Sequence, residues 1–245
     1  MKKRILLLFI SMFFMFLLAD KESWADGNSI IECRYGYYIV IEEMDINGYV
    51  LGQIYKSNKQ PVSTDKYWID YIVDIPKSGD VIRLKSCNDN YYGFFDTKFD
   101  YLQQPVFDDV SYRTQNDQPL IAVSKDQKWG FCCRKDGEII IPCIYDDYYD
   151  FENGFALVCI SDFETTSWKD TWKLIDLAGN PVNFEEGYMP ITLPDSNGTL
   201  IVQLQSENDV KYYFAYTSGY VVSDKSYDTL SEIYQYHYDE MSQHE

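Results

Sequence analysis

Apolar and polar positions along most of this chain alternate in short runs, not at helical spacing. The stretch "WGFCCRKDGEIIIPCIY" (129–145) holds two strand-like runs on either side of Asp136-Gly137. Glycine at Gly137 accepts a positive φ, which a tight hairpin requires. Pro142 cannot donate a ladder hydrogen bond, so it marks an edge or the end of the second run. Tyr145-Asp146-Asp147 then turns the chain, because aspartate side chains bond nearby backbone amides. "FALVCI" (155–160) supplies a third strand. The pattern predicts a hairpin plus a strand in roughly 40 residues.

The same strip recurs. "YYGFFDTKFDYLQQPVFDDV" occupies 91–110, "WKLIDLAGNPVNFEEGYMPI" starts at Trp172, and "YYFAYTSGYVVSDKSYDTL" starts at Tyr212. The starting aromatics Tyr92, Trp129, Trp172 and Tyr212 are separated by 37, 43 and 40 positions. "FENGFALV" (151–158) parallels "FEEGYMPI" (184–191), and "DQPLIAV" (117–123) is a weaker copy. Ala178-Gly179-Asn180 and Ser218-Gly219 stand where Asp136-Gly137 stands. A lone hairpin is marginal in water, whereas stacked strips bury one another's apolar faces. The structural positions of this repeat are therefore Tyr92, Gly93, Trp129, Gly130, Gly137, Pro142, Trp172 and Tyr212. The aromatics are expected to fill the space between strips, and Gly130 to let another backbone come close.

The predicted fold is all-β. It consists of tandem antiparallel hairpin or three-strand repeats of about 40 residues, stacked into an open, solenoid-like array of about five strips. A small β-propeller is the alternative, although its blades usually carry four strands. Residues 26–90 match the period poorly and read as a divergent N-terminal β cap or repeat. Within them, Asn47-Gly48 signals a hairpin and Ser78-Gly79-Asp80 a turn. The array proper spans 91–230. Residues 231–245 form a tail or a short helix, with Leu230, Ile233, Tyr234 and Met241 on one helical side.

The N-terminus departs from this pattern. Met1-Lys2-Lys3-Arg4 precedes an apolar run from Ile5 to Leu18, and Ser23-Trp24-Ala25 follows. A charged start, a short apolar middle and a small-x-small end describe a secretory signal at 1–25, with cleavage after Ala25. The run is shorter than the roughly 20 residues a spanning helix needs. The expected location is secreted, periplasmic or cell-surface, without membrane insertion after cleavage. Over the full chain the formal charge is −18, which opposes binding to nucleic acid and leaves cationic ligands open.

Candidate chemistry is sparse. Cys33, Cys87, Cys132, Cys133, Cys143 and Cys159 form no CxxC, and read as small buried hydrophobes or one or two structural disulfides. His237 and His244 are the only histidines, and both lie near the C-terminus, so no histidine-based nucleophile system is expected. No phosphate loop, zinc motif or complete calcium loop occurs. No cofactor, metal or catalytic residue is therefore assigned. The binding candidates are Tyr145, Asp146, Asp147, Tyr148 and Asp150, where tyrosine offers apolar area with a polar tip beside carboxylates. Asn197-Gly198-Thr199 is a glycosylation sequon in a eukaryotic secretory path.

Trp129-Gly130, the Lys-Asp-Gly turn, "EIIIP", "YDD" and "FENGFALV" together resemble the bacterial WG-repeat family. The strip at 129–158 follows that family's pattern nearly throughout. The strip at 92–123 keeps Gly93, Pro105 and Asp108-Asp109 but has Tyr92 for the tryptophan. The strip at 172–191 keeps Trp172 but carries Lys173 for the glycine, and the last keeps the turn and Tyr227-Asp228. The resemblance covers about 92–230. It implies an interaction scaffold with no shared catalytic residues. The functional expectation is an exported, non-enzymatic scaffold for a protein, peptide or glycan. The alternative is a secreted carboxylate-dependent hydrolase such as a glycosidase, which uses two carboxylates about 5–10 Å apart.

Overall fold

A computed structural model describes residues 29–47, 49–70, 80–111, 118–161, 170–206 and 209–242. The proposed signal segment, Gly48, Ser78-Gly79 and His244 lie outside the described residues. Among the described residues the fold is almost wholly β and no sheet closes into a barrel. Two compact units divide at Pro105 and Val106. No helix among the described residues is long and apolar enough to cross a membrane.

The first unit is one antiparallel meander of seven strands in chain order. These are β1 (Ser29–Glu32), β2 (Tyr37–Met44), β3 (Tyr49–Lys56), β4 (Tyr67–Asp70), β5 (Val81–Ser86), β6 (Tyr92–Asp96) and β7 (Tyr101–Phe107). Alternation sets the buried face: Tyr37, Ile39 and Ile41 on β2, Val50 and Ile54 on β3, Tyr67 and Ile69 on β4, Ile82 and Leu84 on β5. With Phe95 of β6 they form one apolar cluster.

The second unit stacks three sheets. The first has the order β11-β10-β9-β8, with β8 (Asp109–Val110), β9 (Leu120–Lys125), β10 (Lys128–Cys133) and β11 (Ile139–Tyr145). The second joins β12 (Asp147–Glu152), β13 (Phe155–Ser161) and β14 (Asp170–Asp176). The third joins β15 (Tyr188–Pro190), β16 (Thr199–Gln205) and β17 (Val210–Tyr216). Phe131 and Ile141 of the first sheet meet Phe151, Ala156, Val158 and Ile175 of the second in one core. Leu157 and Leu174 of the second meet Leu200, Val202 and Ala215 of the third in another. Helix α1 (Leu230–Ser242) closes the far side of the third sheet, where Ile233 packs with Ile201 and Tyr227.

A common unit underlies both halves. A first strand and a second strand precede the strand that carries the repeat aromatic. One residue with positive φ then turns the chain back: Lys59, Asp100, Gly137, Gly179 and Gly219. After that turn, Tyr55 bridges Pro61, Ile175 bridges Pro181 and Ala215 bridges Val221. The position of the aromatic in the N-terminal copy is Gly52, 40 residues before Tyr92. The period thus runs through β1–β3, although no aromatic marks it there.

Three expectations need correction. First, the strip that starts at Trp129 holds one strand more than the expected hairpin and "FALVCI", although the second and third sheets carry three strands each. The extra one, β12, is written "DYYDFE", with carboxylates on both its faces, so its alternation reads as turn chemistry. Second, "FEEGYMPI" is not the counterpart of "FENGFALV". Asn153-Gly154 joins β12 to β13, and Asn197-Gly198 joins β15 to β16 in the same way, whereas Gly187 precedes β15. The sequon asparagine therefore sits in a hairpin turn tied by Asp195, whose Oδ1 accepts the Asn197 and Thr199 amides at 2.8 and 2.9 Å. Third, α1 turns Ile233 inward but leaves Leu230 and Tyr234 exposed, because Tyr236 packs with Ile233 against β17.

Candidate functional site

The seams carry the repeat aromatics. Trp129 packs against the core between the first and second sheets, its ring 4.4 Å from that of Tyr148. Trp172 packs against the next core and meets Tyr149 at 5.3 Å, and Tyr212 packs against the cluster under α1. Tyr92 differs from these three. The Arg83 guanidinium lies 4.1 Å from its ring centroid, a cation over a π-face.

Gly130 explains why tryptophan is followed by glycine. A Cβ there would stand 2.5 Å from the Ile141 carbonyl oxygen and 2.7 Å from the Cys143 amide nitrogen. The close neighbour is the backbone of β11 in the same hairpin. Trp129 pairs Tyr145 and Phe131 pairs Ile141, so a bulge of β11 folds over the glycine. Gly93 has the same relation to Gln103, Gln104 and Pro105. Pro142 lies inside β11, on the edge of its sheet, where its missing N–H breaks no ladder.

The five binding candidates separate. Tyr145 is buried in the first core. Asp146 is a brace: it pairs with Lys128 and accepts the Ser161 amide at 2.9 Å. The Lys128 hydrogen bond and that amide hold its carboxyl below the usual carboxylate range. Asp147, Tyr148 and Asp150 line a groove of about 370 Å³. Trp129, Tyr149, Glu152, Asp109, Val110, Ser111 and Leu193 complete its wall. Tyr148 meets Trp129 and Tyr149 meets Trp172, so these neighbours point to opposite sides of β12, as strand alternation requires.

A division of labour appears within each Asp-Asp pair. The first member ties the hairpin, since Asp108 Oδ2 accepts the Gln127 amide as Asp146 accepts that of Ser161. The second lines the groove. Asp109 and Asp147 each accept the following residue's amide through Oδ1 at 2.8 Å. They pair with Ser124 and Cys159, the residues opposite Trp129 and Trp172. Asp109 and Asp147 thus hold the same position in successive repeats. Ser111 donates to Asp150 Oδ2 at 2.8 Å across the seam.

A family model described as WG containing repeat matches residues 92–129 and 132–162. These two stretches are tandem matches to the WG repeat. Both matched stretches contain an Asp-Asp pair, and the second contains β12 whole. Curated proteins compared with the chain gave no match.

Sequence reasoning missed Asp109, Val110, Ser111, Tyr149, Glu152 and Leu193 as groove residues. A signal for Asp109 existed in its repeat equivalence to Asp147. Leu193 enters from the loop after β15, and no local pattern marks it. Among the described residues no group of three or more His, Cys, Asp or Glu is placed to hold a metal. None of the six cysteines forms a disulfide. Cys132 and Cys159 are buried, Cys87 is exposed, and the others lie between. Burial pushes the Cys33 thiol up to about 12 and also raises that of Cys132. Thiols so shifted are poor nucleophiles.

Proposed function

We propose that this WG-repeat protein is an exported, non-enzymatic scaffold that binds a segment of a protein, peptide or glycan in the groove beside Trp129. The observation that carries the reading is the make-up of that groove. Strand β8 of one repeat, β12 of the next and a loop of the third all contribute, so its wall is repeat surface and not the floor of one loop. Repeat arrays suit extended ligands because equivalent positions recur along the stack. Tyr149 leaves half of its surface exposed there, and exposed tyrosine offers area and a hydrogen-bonding tip at low entropic cost. The groove's carboxylates are engaged as hydrogen-bond acceptors within the wall. That arrangement favours recognition over proton transfer.

The test is a peptide and glycan binding screen on the full chain, with the same ligands assayed for hydrolysis. Binding that weakens in Tyr149→Ala supports the scaffold. Turnover of a glycan without stable binding would reverse it. Export is tested separately: the N-terminal residue of protein recovered outside the cytoplasm should be Asp26, and Met1 would refute processing.

A further inference from the structure

We infer that Asn197 is the acceptor for one N-linked glycan, taken from a lipid-linked oligosaccharide as the chain is exported, and that the exposed Tyr216–Tyr220 ring pair carries its first sugar. This rests on the export proposed above and adds a modification to the scaffold.

Asn197-Gly198-Thr199 is the one Asn-x-Ser/Thr triplet in the 245 residues. Such a triplet serves as an acceptor where it lies on the surface of an exported protein. Asn197 is exposed and lies between β15 and β16, outside both strands, so a group on its side chain displaces no ladder hydrogen bond. Asp195 shapes the tip. Its Oδ1 accepts the Asn197 and Thr199 amides, and its carbonyl oxygen accepts the Gly198 amide at 3.0 Å. Bacterial transferases of this class also require an acidic residue two positions before the asparagine, and Asp195 stands there.

The neighbouring strand presents exposed rings beside the acceptor. Thr199 pairs with Tyr216, and the Gly198 carbonyl accepts the Thr217 amide at 3.0 Å. Tyr216 and Tyr220 stack with ring centroids 6.3 Å apart and planes 16° from parallel, and they are 42% and 64% exposed. Paired strands lie about 4.8 Å apart, within reach of a sugar joined to Asn197 Nδ2. The apolar C–H face of a pyranose can cover such a ring while the phenol tip and the sugar hydroxyls stay hydrogen-bonded.

The step is a group transfer. Asn197 Nδ2 bonds to the anomeric carbon of the donor as the bond from that carbon to the pyrophosphate oxygen breaks. The lipid pyrophosphate leaves with the electron pair, and one Nδ2 proton passes to a base of the transferase.

The full chain is expressed in two hosts to test this. One is a bacterium carrying a periplasmic oligosaccharyltransferase with its lipid-linked donor, and the other a eukaryotic cell with secretory glycosylation. Peptide mapping of protein recovered outside the cytoplasm should place one glycan on Asn197, and none in Asn197→Gln or Thr199→Ala. Asp195→Ala should lose the glycan in the bacterium and keep it in the eukaryotic cell, which separates the two sources of the sugar. The glycan should raise the melting temperature by about 2–4 °C, and by clearly less when Tyr216→Ala and Tyr220→Ala are combined. Chain that begins at Asp26 with Asn197 unmodified in both hosts overturns the inference while export stands. Chain that keeps Met1 and carries no glycan removes both. A glycan that shifts the melt equally with and without the two rings overturns their part in holding the sugar.

Discussion

Gly130→Ala probes the hairpin that defines the repeat. The added methyl would stand 2.5 Å from the Ile141 oxygen and 2.7 Å from both the Pro142 carbonyl carbon and the Cys143 nitrogen. Real Cβ atoms essentially never come within 3.0 Å of such atoms, and all three here are backbone. No rotamer can relieve the overlap. Strand β11 must retreat by about half an ångström or more, and the Trp129–Tyr145 and Phe131–Ile141 pairings loosen with it. Overpacking of this kind costs about 1–3 kcal/mol, and a strained or lost backbone hydrogen bond adds about 1. The expected loss is about 2–4 kcal/mol, or roughly a 5–12 °C fall in the transition of the affected unit. Gly154→Ala is the comparison. Its φ is +84° but no atom lies within 4 Å, so only the left-handed penalty of about 1–2 kcal/mol applies. Calorimetry gives the magnitudes, and hydrogen exchange should localise the Gly130→Ala effect to amides in β10 and β11. A Gly130→Ala protein no less stable than Gly154→Ala, with unchanged exchange in β11, would refute the close-approach account.

Other outcomes follow from the same geometry. Asp146 has a depressed folded pKa, so its brace contributes stability above the unfolded carboxylate pKa of about 3.9 and loses it as pH falls through the lower folded value. Asp146→Asn should flatten the acid limb of a stability-versus-pH curve, and an unchanged limb would place the acid sensitivity elsewhere. Ile233→Ala should cost about 2–4 kcal/mol, since Ile233 is fully buried under the third sheet, and chemical denaturation would report it. At pH 8, iodoacetamide should label exposed Cys87 in the folded chain and spare Cys132 and Cys33, as peptide mass mapping would show. Rapid labelling of Cys132 would mean that the first sheet opens.

Legibility tracked how far each signal is local. The turn after the aromatic strand was visible where a glycine supplies the positive φ, at Gly137, Gly179 and Gly219. It was invisible at Lys59, where the same conformation is held by the Lys56 and Gln60 backbone bond that closes the turn. Gly52, without a ring, concealed the first copy for the same reason. Strand β12 escaped notice because Asp147 and Asp150 interrupt its apolar alternation. Only the packed seam shows that these carboxylates line a groove while Tyr148 and Phe151 face the core. The mistaken pairing of "FEEG" with "FENG" is instructive too. Similar letters lie on opposite sides of a strand, and hydrogen-bond register, not composition, decides equivalence.

By itself the amino-acid order determined the β class, the period, the hairpin turns and the acidic character, because each depends on neighbours a few positions apart. Only the tertiary structure decided which aspartate of each pair ties a hairpin and which lines the groove, and what Trp129 touches. Those outcomes depend on how successive sheets stack, and residues brought together across a seam leave no mark on their own local sequence.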